Sequence, residues 1–111
     1  MKEIFDRVKT HLLAQGAKAR HSAGVCAYRA PNGLKCAVGC LITDEAYSDG
    51  LEGKNVKSDR VLPALIASGI STDSTTLHML TRLQWIHDDT ASIHWERELS
   101  HLEAELFGGV K

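Results

Sequence analysis

The length, composition and charge of the chain exclude several classes of protein. With 111 residues, 43% of them hydrophobic and 24% charged, the chain has the composition of a globular domain that can bury a core without stabilising crosslinks. A formal net charge of −1 gives no field that favours nucleic acid or an anionic membrane, so a nucleic-acid-binding module is the least favoured function.

Three further features concern the compartment. The first fifteen residues alternate charged and apolar groups and contain no secretory h-region. No window approaches the roughly 18 apolar residues that span a bilayer. An odd number of cysteines, three, fits reduced thiols better than a disulfide framework. We therefore expect a cytoplasmic protein that does not contact membranes.

An apolar stripe at helical spacing predicts a first helix over residues 2–15, with Gly16 behind it in the position of a left-handed cap. The loop that follows, residues 17–23, carries exposed cations, of which Arg20 and His21 are candidate binding residues. The stripe consists of Ile4, Phe5, Val8 and Leu12.

Residues 24–47 contain all three cysteines and both tyrosines, and the rest of the chain is predicted to pack around them as helix. Alternating side chains predict a short strand over residues 25–29. The sequence Ala-Pro-Asn-Gly at residues 30–33 predicts a tight turn, since proline presets one dihedral and Asn and Gly tolerate positive φ. We therefore expect one small β-hairpin near residues 25–35.

The apolar run that follows, residues 36–42, fits either a strand or a helix, and periodicity does not decide between them. We favour a brief strand at residues 34–35 that leads into a buried helical turn from Cys36. Gly39 supports the helical alternative, since glycine costs up to ~1 kcal/mol in a helix and is tolerated where another backbone approaches closely.

Three more helices are predicted in the second half of the chain. Pro63 fits the first turn of a helix over residues 61–68, and a cap at Ser71, Asp73 or Ser74 starts the next. Ser92 is the expected cap of the last helix. The apolar stripe of the third helix consists of Leu77, Leu80, either Leu83 or Gln84, and His87, and Trp85 and Ile86 widen it. The apolar stripe of the last helix consists of Trp95, Leu99, Leu102 and Leu106.

These elements predict a mainly α (α+β) fold, a compact single domain over residues 1–111 with about four to five helices and one small hairpin. The polar loop over residues 51–57 lies between the central stretch and the later helices. It contributes two further candidate binding residues, Lys54 and Lys57.

The cysteines raise the possibility of a metal site. Cys26, Cys36 and Cys40, spaced C-x9-C-x3-C, are an alternative set of zinc ligands with a histidine as the fourth. Their apolar neighbours and unusual spacing favour buried cysteines that fill a tight core. His87, His94 and His101 fall seven apart, but the last two alternate with glutamates as on a solvated helix face. The prediction is therefore no metal and no cofactor.

A thiol enzyme is the alternative function. Cys36 at the start of a helical turn, with His87 as base and Asp88 as orienting group, has the residue types of a thiol-protease site. No Gly-rich phosphate loop, GxSxG elbow or HExxH motif accompanies them. A chain with three cysteines and six histidines offers some such triple by composition alone, so an enzyme is not the favoured interpretation.

Gln84, His87 and Asp88 interrupt an otherwise apolar helical stripe. Buried polar groups need hydrogen-bond partners, and Tyr28 and Arg29 on the predicted hairpin are the expected ones. We interpret these five residues as a structural polar cluster that fastens the hairpin to the third helix.

The central pattern C-x-Y-R-x3-G-x2-C-A-V-G-x-L-I over residues 26–42, with the later L-Q-x-I-H-D over residues 83–88, resembles a group of small uncharacterised proteins from bacteria and their phages. The resemblance covers about a third of the chain. It implies a phage or prophage setting and transfers no activity or site residue.

The favoured function is therefore binding. We expect a small phage- or prophage-type accessory protein that modulates its host by contacting a host protein. The contact should lie on exposed surface, with Arg20, His21, Lys54 and Lys57 as candidates, rather than in the cysteine-rich centre.

Overall fold

Four α-helices and three short 3-10 turns are present in the computed structural model, which describes residues 1–20 and 26–108. Within those ranges, no helix is both long and apolar enough to cross a membrane. The helices are α1 (Lys2–Gln15), α2 (Val61–Ala67), α3 (Ser74–Asp89) and α4 (Trp95–Phe107), and the 3-10 turns are Gly39–Leu41, Asp49–Leu51 and Ser92–His94.

The helix ends follow local capping chemistry. Gly16 ends α1 in the left-handed conformation, with φ of 67°, as its position predicted. Asp73 caps α3 by accepting a hydrogen bond from Thr76 N at 2.7 Å. The predicted cap of α4 is wrong, because Ser92 starts a 3-10 turn and His94 occupies the cap position of α4 without a side-chain cap bond. At the start of α4, the indole N–H of Trp95 donates to a backbone carbonyl at 3.0 Å.

The core lies where α1, α3 and α4 pack against one another. The predicted stripes supply most of its largest side chains, and the central stretch closes the core from the side through Ala37 and Val38, which are fully buried. One member of the predicted α3 stripe is misplaced, since Trp85 is 55% exposed. The side chains that α1, α3 and α4 contribute are Phe5, Val8, Leu12, Met79, Leu80, Leu83, Ile86, Trp95, Leu99 and Leu102, and α2 adds Val61, Ala64 and Leu65.

The predicted β-hairpin near residues 25–35 is not confirmed. Residue 25 lies outside the described residues, and the rest forms a tight turn with isolated bridges beside it. Ala30 accepts from Gly33 N at 3.0 Å, which closes the predicted tight turn. Arg29 and Lys35 form one antiparallel bridge, and Arg20 and Cys26 form another. The described residues contain no longer ladder. Pairing stops at residues 28 and 36 because the Tyr28 N–H donates to a side-chain carboxylate, while the Cys36 carbonyl accepts the N–H of Cys40.

Gly39 lies where the helical turn after Cys36 meets the backbone of Tyr28. The turn begins with a bond from Cys40 N to Cys36 O at 3.1 Å and continues as the 3-10 turn. A Cβ built on Gly39 would lie 2.0 Å from Tyr28 O and 2.8 Å from its carbonyl carbon. The predicted close approach of another backbone is confirmed, and it fixes the central stretch in register.

Candidate binding cleft

Gln84, His87 and Asp88 form one hydrogen-bonded network on α3. Asp88 Oδ1 accepts from Gln84 Nε2 at 2.8 Å and from His87 Nδ1 at 2.7 Å. At the two ends, the backbone N–H of Val38 donates to Gln84 Oε1 at 3.1 Å, and that of Ala19 donates to His87 Nε2 at 2.9 Å. We name these bonds the His87 network. It fastens two loop segments to one face of α3.

The bond from Ala19 fixes the protonation of the His87 ring. A backbone N–H can only donate, so Nε2 accepts, and the single ring proton lies on Nδ1, which donates to Asp88. The ring is fully buried and stacks on Trp95, with centroids 5.5 Å apart and 28° between the planes. Both nitrogens are engaged, and a general base needs one that can reach the proton of a substrate.

Cys26, His87 and Asp88 each bring one possible ligand atom within 4.8 Å of the other two, and no second such group occurs in the part of the chain that the structure describes. A zinc-bound histidine typically donates its second ring N–H to a carboxylate, and Nδ1 makes that contact here. At Nε2, however, the N–H of Ala19 stands where an ion would bind. Ligation through Nδ1 would require a proton on Nε2, facing that same N–H. The arrangement disfavours a metal.

The three cysteines are free thiols, and their surroundings disfavour the thiolate. Burial is the main cause that raises the pKa of each, to about 11 for Cys40 and above the ordinary value for Cys26 and Cys36. The charge of Asp88 raises the pKa of Cys26 further. Nucleophilic and metal-binding cysteines need a lowered pKa. The alternative roles of Cys36 as nucleophile, and of the three cysteines as zinc ligands, therefore lack support.

Tyr28 and Arg29 do not hydrogen-bond to the His87 network, which corrects the predicted pairing. Their backbone N–H groups donate to the two carboxylate oxygens of Glu52 at 2.9 and 3.1 Å. The hydroxyl of Tyr47 donates to the same carboxylate at 2.6 Å, and that of Tyr28 donates to Lys54 O at 2.6 Å. We name these bonds the Glu52 network, which ties the loop after the second 3-10 turn to the central stretch.

The guanidinium of Arg29 completes this second network. Its Nη1 lies 2.8 Å from Asp44 Oδ1, and its Nη2 donates to Ile42 O at 2.9 Å. The same group lies over the ring of Tyr47, 4.6 Å from the centroid, within the range of a cation–π contact. Arg29 thus acts within residues 29–52, and its charge is used for local folding.

A cleft of about 410 Å³ opens between α3 and the loop over residues 53–56. The two networks form its walls, since Gln84 and Asp88 line one side and the Tyr28–Lys54 bond supports the other. Trp85 stands at the edge with 55% of its surface exposed. The remaining lining residues are Cys26, Ala27, Cys36, Gly53, Asn55, Val56, Thr81 and Asp89.

Of the four candidate binding residues predicted from the sequence, some lie at the cleft and others do not. Lys54 lines the cleft. Arg20 is exposed and is bridged to Cys26, which lines the same cleft. Lys57 is exposed but lies outside the lining. His21 falls outside the described residues.

Trp85 and Asp89 are among the lining residues that sequence reasoning missed. A usable signal was present, because Thr81, Asp88 and Asp89 lie four before, three after and four after Trp85, which places the tryptophan on a polar helix face. Glu52 was missed for a different reason. It belongs to a polar loop, and its bonds reach residues 23 and 24 positions away, which no local pattern indicates.

The chain matches no protein-family model, no curated protein and no solved structure in the three comparisons made. The resemblance to the group from bacteria and phages therefore stays a prediction. Residues from its pattern lie in both networks, Tyr28 and Arg29 in one and Gln84, His87 and Asp88 in the other.

Proposed function

We propose that the protein acts by binding another protein, and that a side chain of this partner enters the cleft beside Trp85. In the phage or prophage setting that the resemblance implies, the partner is a host protein. The observation that carries the proposal is the half-exposed Trp85 at the edge of a formed cleft. Tryptophan is enriched among the residues that dominate binding energy at protein interfaces.

The cleft also has the construction expected of a preformed site. The Tyr28–Lys54 bond and the Glu52 network hold one wall, and the His87 network holds the other. A partner would therefore meet walls that are already ordered, which reduces the entropy lost on binding. Lys54, a candidate from the sequence, contributes a charge at the edge.

A thiol- or metal-dependent enzyme has less support. The pKa of Cys26 and of Cys36 is raised chiefly by burial, and the His87 Nε2 atom accepts a backbone N–H. These surroundings prepare neither thiol as a thiolate nor His87 as a base. A nucleic-acid-binding module remains the third candidate, with the net charge of −1 against it.

The test compares capture of proteins from a bacterial lysate by the wild-type chain, Trp85→Ala and Lys54→Glu. Removal of an interface tryptophan typically costs more than about 2 kcal/mol, so we expect Trp85→Ala to lose the specific partner and Lys54→Glu to weaken its capture. Neither variant should lower the melting temperature, since both side chains are exposed.

The matched control is Ile66→Ala on α2, which removes another exposed apolar side chain, 61% exposed and outside the cleft. It should capture the partner as the wild type does. Unchanged capture by folded Trp85→Ala would overturn the proposal. If instead folded Cys36→Ala were inactive in an assay in which the surface variants worked, the enzyme would replace binding as the favoured function.

A further inference from the structure

We propose that His87 makes the cleft sensitive to pH, because a second proton on its ring releases residues 17–20 from α3 and loosens one wall of the cleft. The effect on a partner rests on the proposed function, whereas the release concerns the free chain. The proposal follows from one fully buried imidazole that lies between a carboxylate on its own helix and a backbone N–H of the loop after α1.

A proton and the loop compete for the same nitrogen of His87. The neutral ring accepts the Ala19 N–H at Nε2, 2.9 Å away, and donates from Nδ1 to Asp88 at 2.7 Å. The imidazolium carries a proton on both nitrogens and can only donate, so it cannot hold the Ala19 N–H. The second proton therefore bonds to Nε2 only when residues 17–20 have moved away, and a falling pH favours the released state.

The groups that contact the ring support a charge on it once the loop has moved. Asp88 accepts the Nδ1 proton in both states, and this bond becomes charge-assisted, and therefore stronger, when the ring is an imidazolium. Trp95, which stacks on the ring, has no titratable group. The Cys26 Sγ lies within 4.8 Å of a ring nitrogen. Its pKa is raised chiefly by burial, with the charge of Asp88 as the next cause, so this thiol stays neutral.

The charged side chains nearby act in opposite directions. Lys18 donates to the Asp88 carbonyl at 3.0 Å, and Arg20 is exposed on the same loop. Both cations oppose a second proton while the loop is docked, and both belong to the segment that leaves. Asp89, at the end of α3, favours the proton in either state. Release of the loop therefore removes the cations and leaves the carboxylates near the ring.

The packing of the loop allows it to move without the main core. Ala19 packs with Ala27 and Ala30 in a small cluster that is separate from the main core, and α1 already ends at Gly16. The Ala19 N–H then exchanges Nε2 for water as its partner, so its donor is not left unpaired. The expected change is local, and the packing of α1, α3 and α4 stays intact.

The loop also supports one wall of the cleft. The N–H of Ala27 donates to Ala19 O at 2.9 Å, and Arg20 is bridged to Cys26. Cys26 and Ala27 both line the cleft. Release of residues 17–20 removes this support, so a partner would meet a less ordered wall and would lose more entropy on binding.

The test is an NMR titration of the free chain from about pH 8 to about pH 5, the interval in which histidine ordinarily changes its charge. We expect His87 to gain a proton on Nε2 and the amides of Ala19 and Ala27 to lose protection against hydrogen exchange in the same step. Leu99 on α4 is fully buried, and its amide should stay protected. Proton uptake by His87 with Ala19 still protected, no uptake above about pH 5, or simultaneous loss of protection at Leu99 would each overturn the inference.

Asp88→Asn is the variant of choice, since it keeps an acceptor oxygen for the His87 network and removes the charge that favours the imidazolium. The midpoint of the Ala19 step should move about one pH unit lower, a tenfold change in proton affinity. Asp89→Asn is the matched control, because Asp89 is exposed at the same helix end and lies outside the network. It should shift the midpoint less, and equal shifts would overturn the inference. The titration needs no partner, so it can fail while capture through Trp85 holds, and the reverse.

Discussion

At the scale of single residues, the contact between Gly39 and Tyr28 restricts substitution most directly. A Cβ on Gly39 would lie 2.0 Å from a carbonyl oxygen, and a backbone atom cannot move aside as the end of a side chain can. We expect Gly39→Ala to lower the free energy of unfolding by about 1–3 kcal/mol through overpacking. Urea denaturation of the purified variant measures it.

Gly50→Ala is the control for this substitution. A Cβ at Gly50 would lie 3.4 Å from the end of the flexible Arg60 side chain, so a small shift accommodates it. Its unfolding midpoint should stay close to that of the wild type. Equal stability of Gly39→Ala and the wild type would show that the central stretch does not pack as described.

The hydrogen bond from the Ala19 N–H to His87 leads to a second prediction, which concerns the tautomer of the His87 ring. His87 should be the neutral tautomer with its proton on Nδ1, because Nε2 accepts from Ala19. Nitrogen-15 NMR of histidine-labelled protein at neutral pH distinguishes the two ring nitrogens directly. For the same reason, elemental analysis after dialysis should find no stoichiometric zinc.

His101 on α4 is exposed and gives the signal of a solvent-accessible histidine for comparison in the same spectrum. A proton found on Nε2 of His87, or zinc retained at one ion per chain, would contradict the described network. The metal alternative built on Cys26, His87 and Asp88 would then return.

At the scale of elements, the His87 network and the Glu52 network should contribute independently to the free energy of unfolding. Tyr47→Phe removes the donor of one hydrogen bond of 2.6 Å, and Glu52→Gln removes the negative charge of its acceptor, so their effects on unfolding free energy should couple by about 0.5–3 kcal/mol. Arg29→Met and Asp88→Asn belong to different networks and should be additive within about 0.5 kcal/mol. Double-mutant cycles measured by urea denaturation test both statements.

The opposite outcomes of these double-mutant cycles would contradict the described hydrogen bonds. Strong coupling between Arg29 and Asp88 would restore the pairing predicted from the sequence and would contradict the bonds that Arg29 makes to Asp44 and Ile42. Additivity of Tyr47→Phe and Glu52→Gln would show that their bond does not contribute to stability.

The distance between partners explains which parts of the fold the sequence could predict. Helices depend on periodicity and caps within a few residues, so α1 was predicted over residues 2–15 and lies at Lys2–Gln15. Gln84, His87 and Asp88 share one helix face and were recognised together. Their outer partners come from 46 and 68 residues away, and nothing in a local pattern identifies a backbone N–H as a partner. The predicted hairpin is not confirmed for the same reason, because the carboxylate that binds the backbone of residues 28 and 29 lies 24 and 23 residues away.

At the scale of the whole molecule, the first and last helices are held together at their charged edges. Glu103 on α4 accepts from Lys2 at 2.7 Å and from Lys9 at 2.8 Å, both on α1. Phe5 and Phe107 meet edge to face beside them, with centroids 5.4 Å apart. The ion pairs therefore join α1 to α4 beside the buried Phe5.

These ion pairs predict a pH dependence of stability. The bonds from Lys2 and Lys9 lower the pKa of Glu103 from 4.5 to about 2. A carboxylate with a lowered pKa in the folded state stabilises above its unfolded pKa, and the contribution is lost as the pH falls towards the folded value. Glu103→Gln should therefore have a lower urea midpoint than the wild type at pH 7, and the difference should shrink between about pH 4.5 and 2.

Glu96→Gln, an exposed change on the same helix, should lack this dependence. A difference for Glu103→Gln that stays constant over that range would show that the carboxylate is not paired with α1.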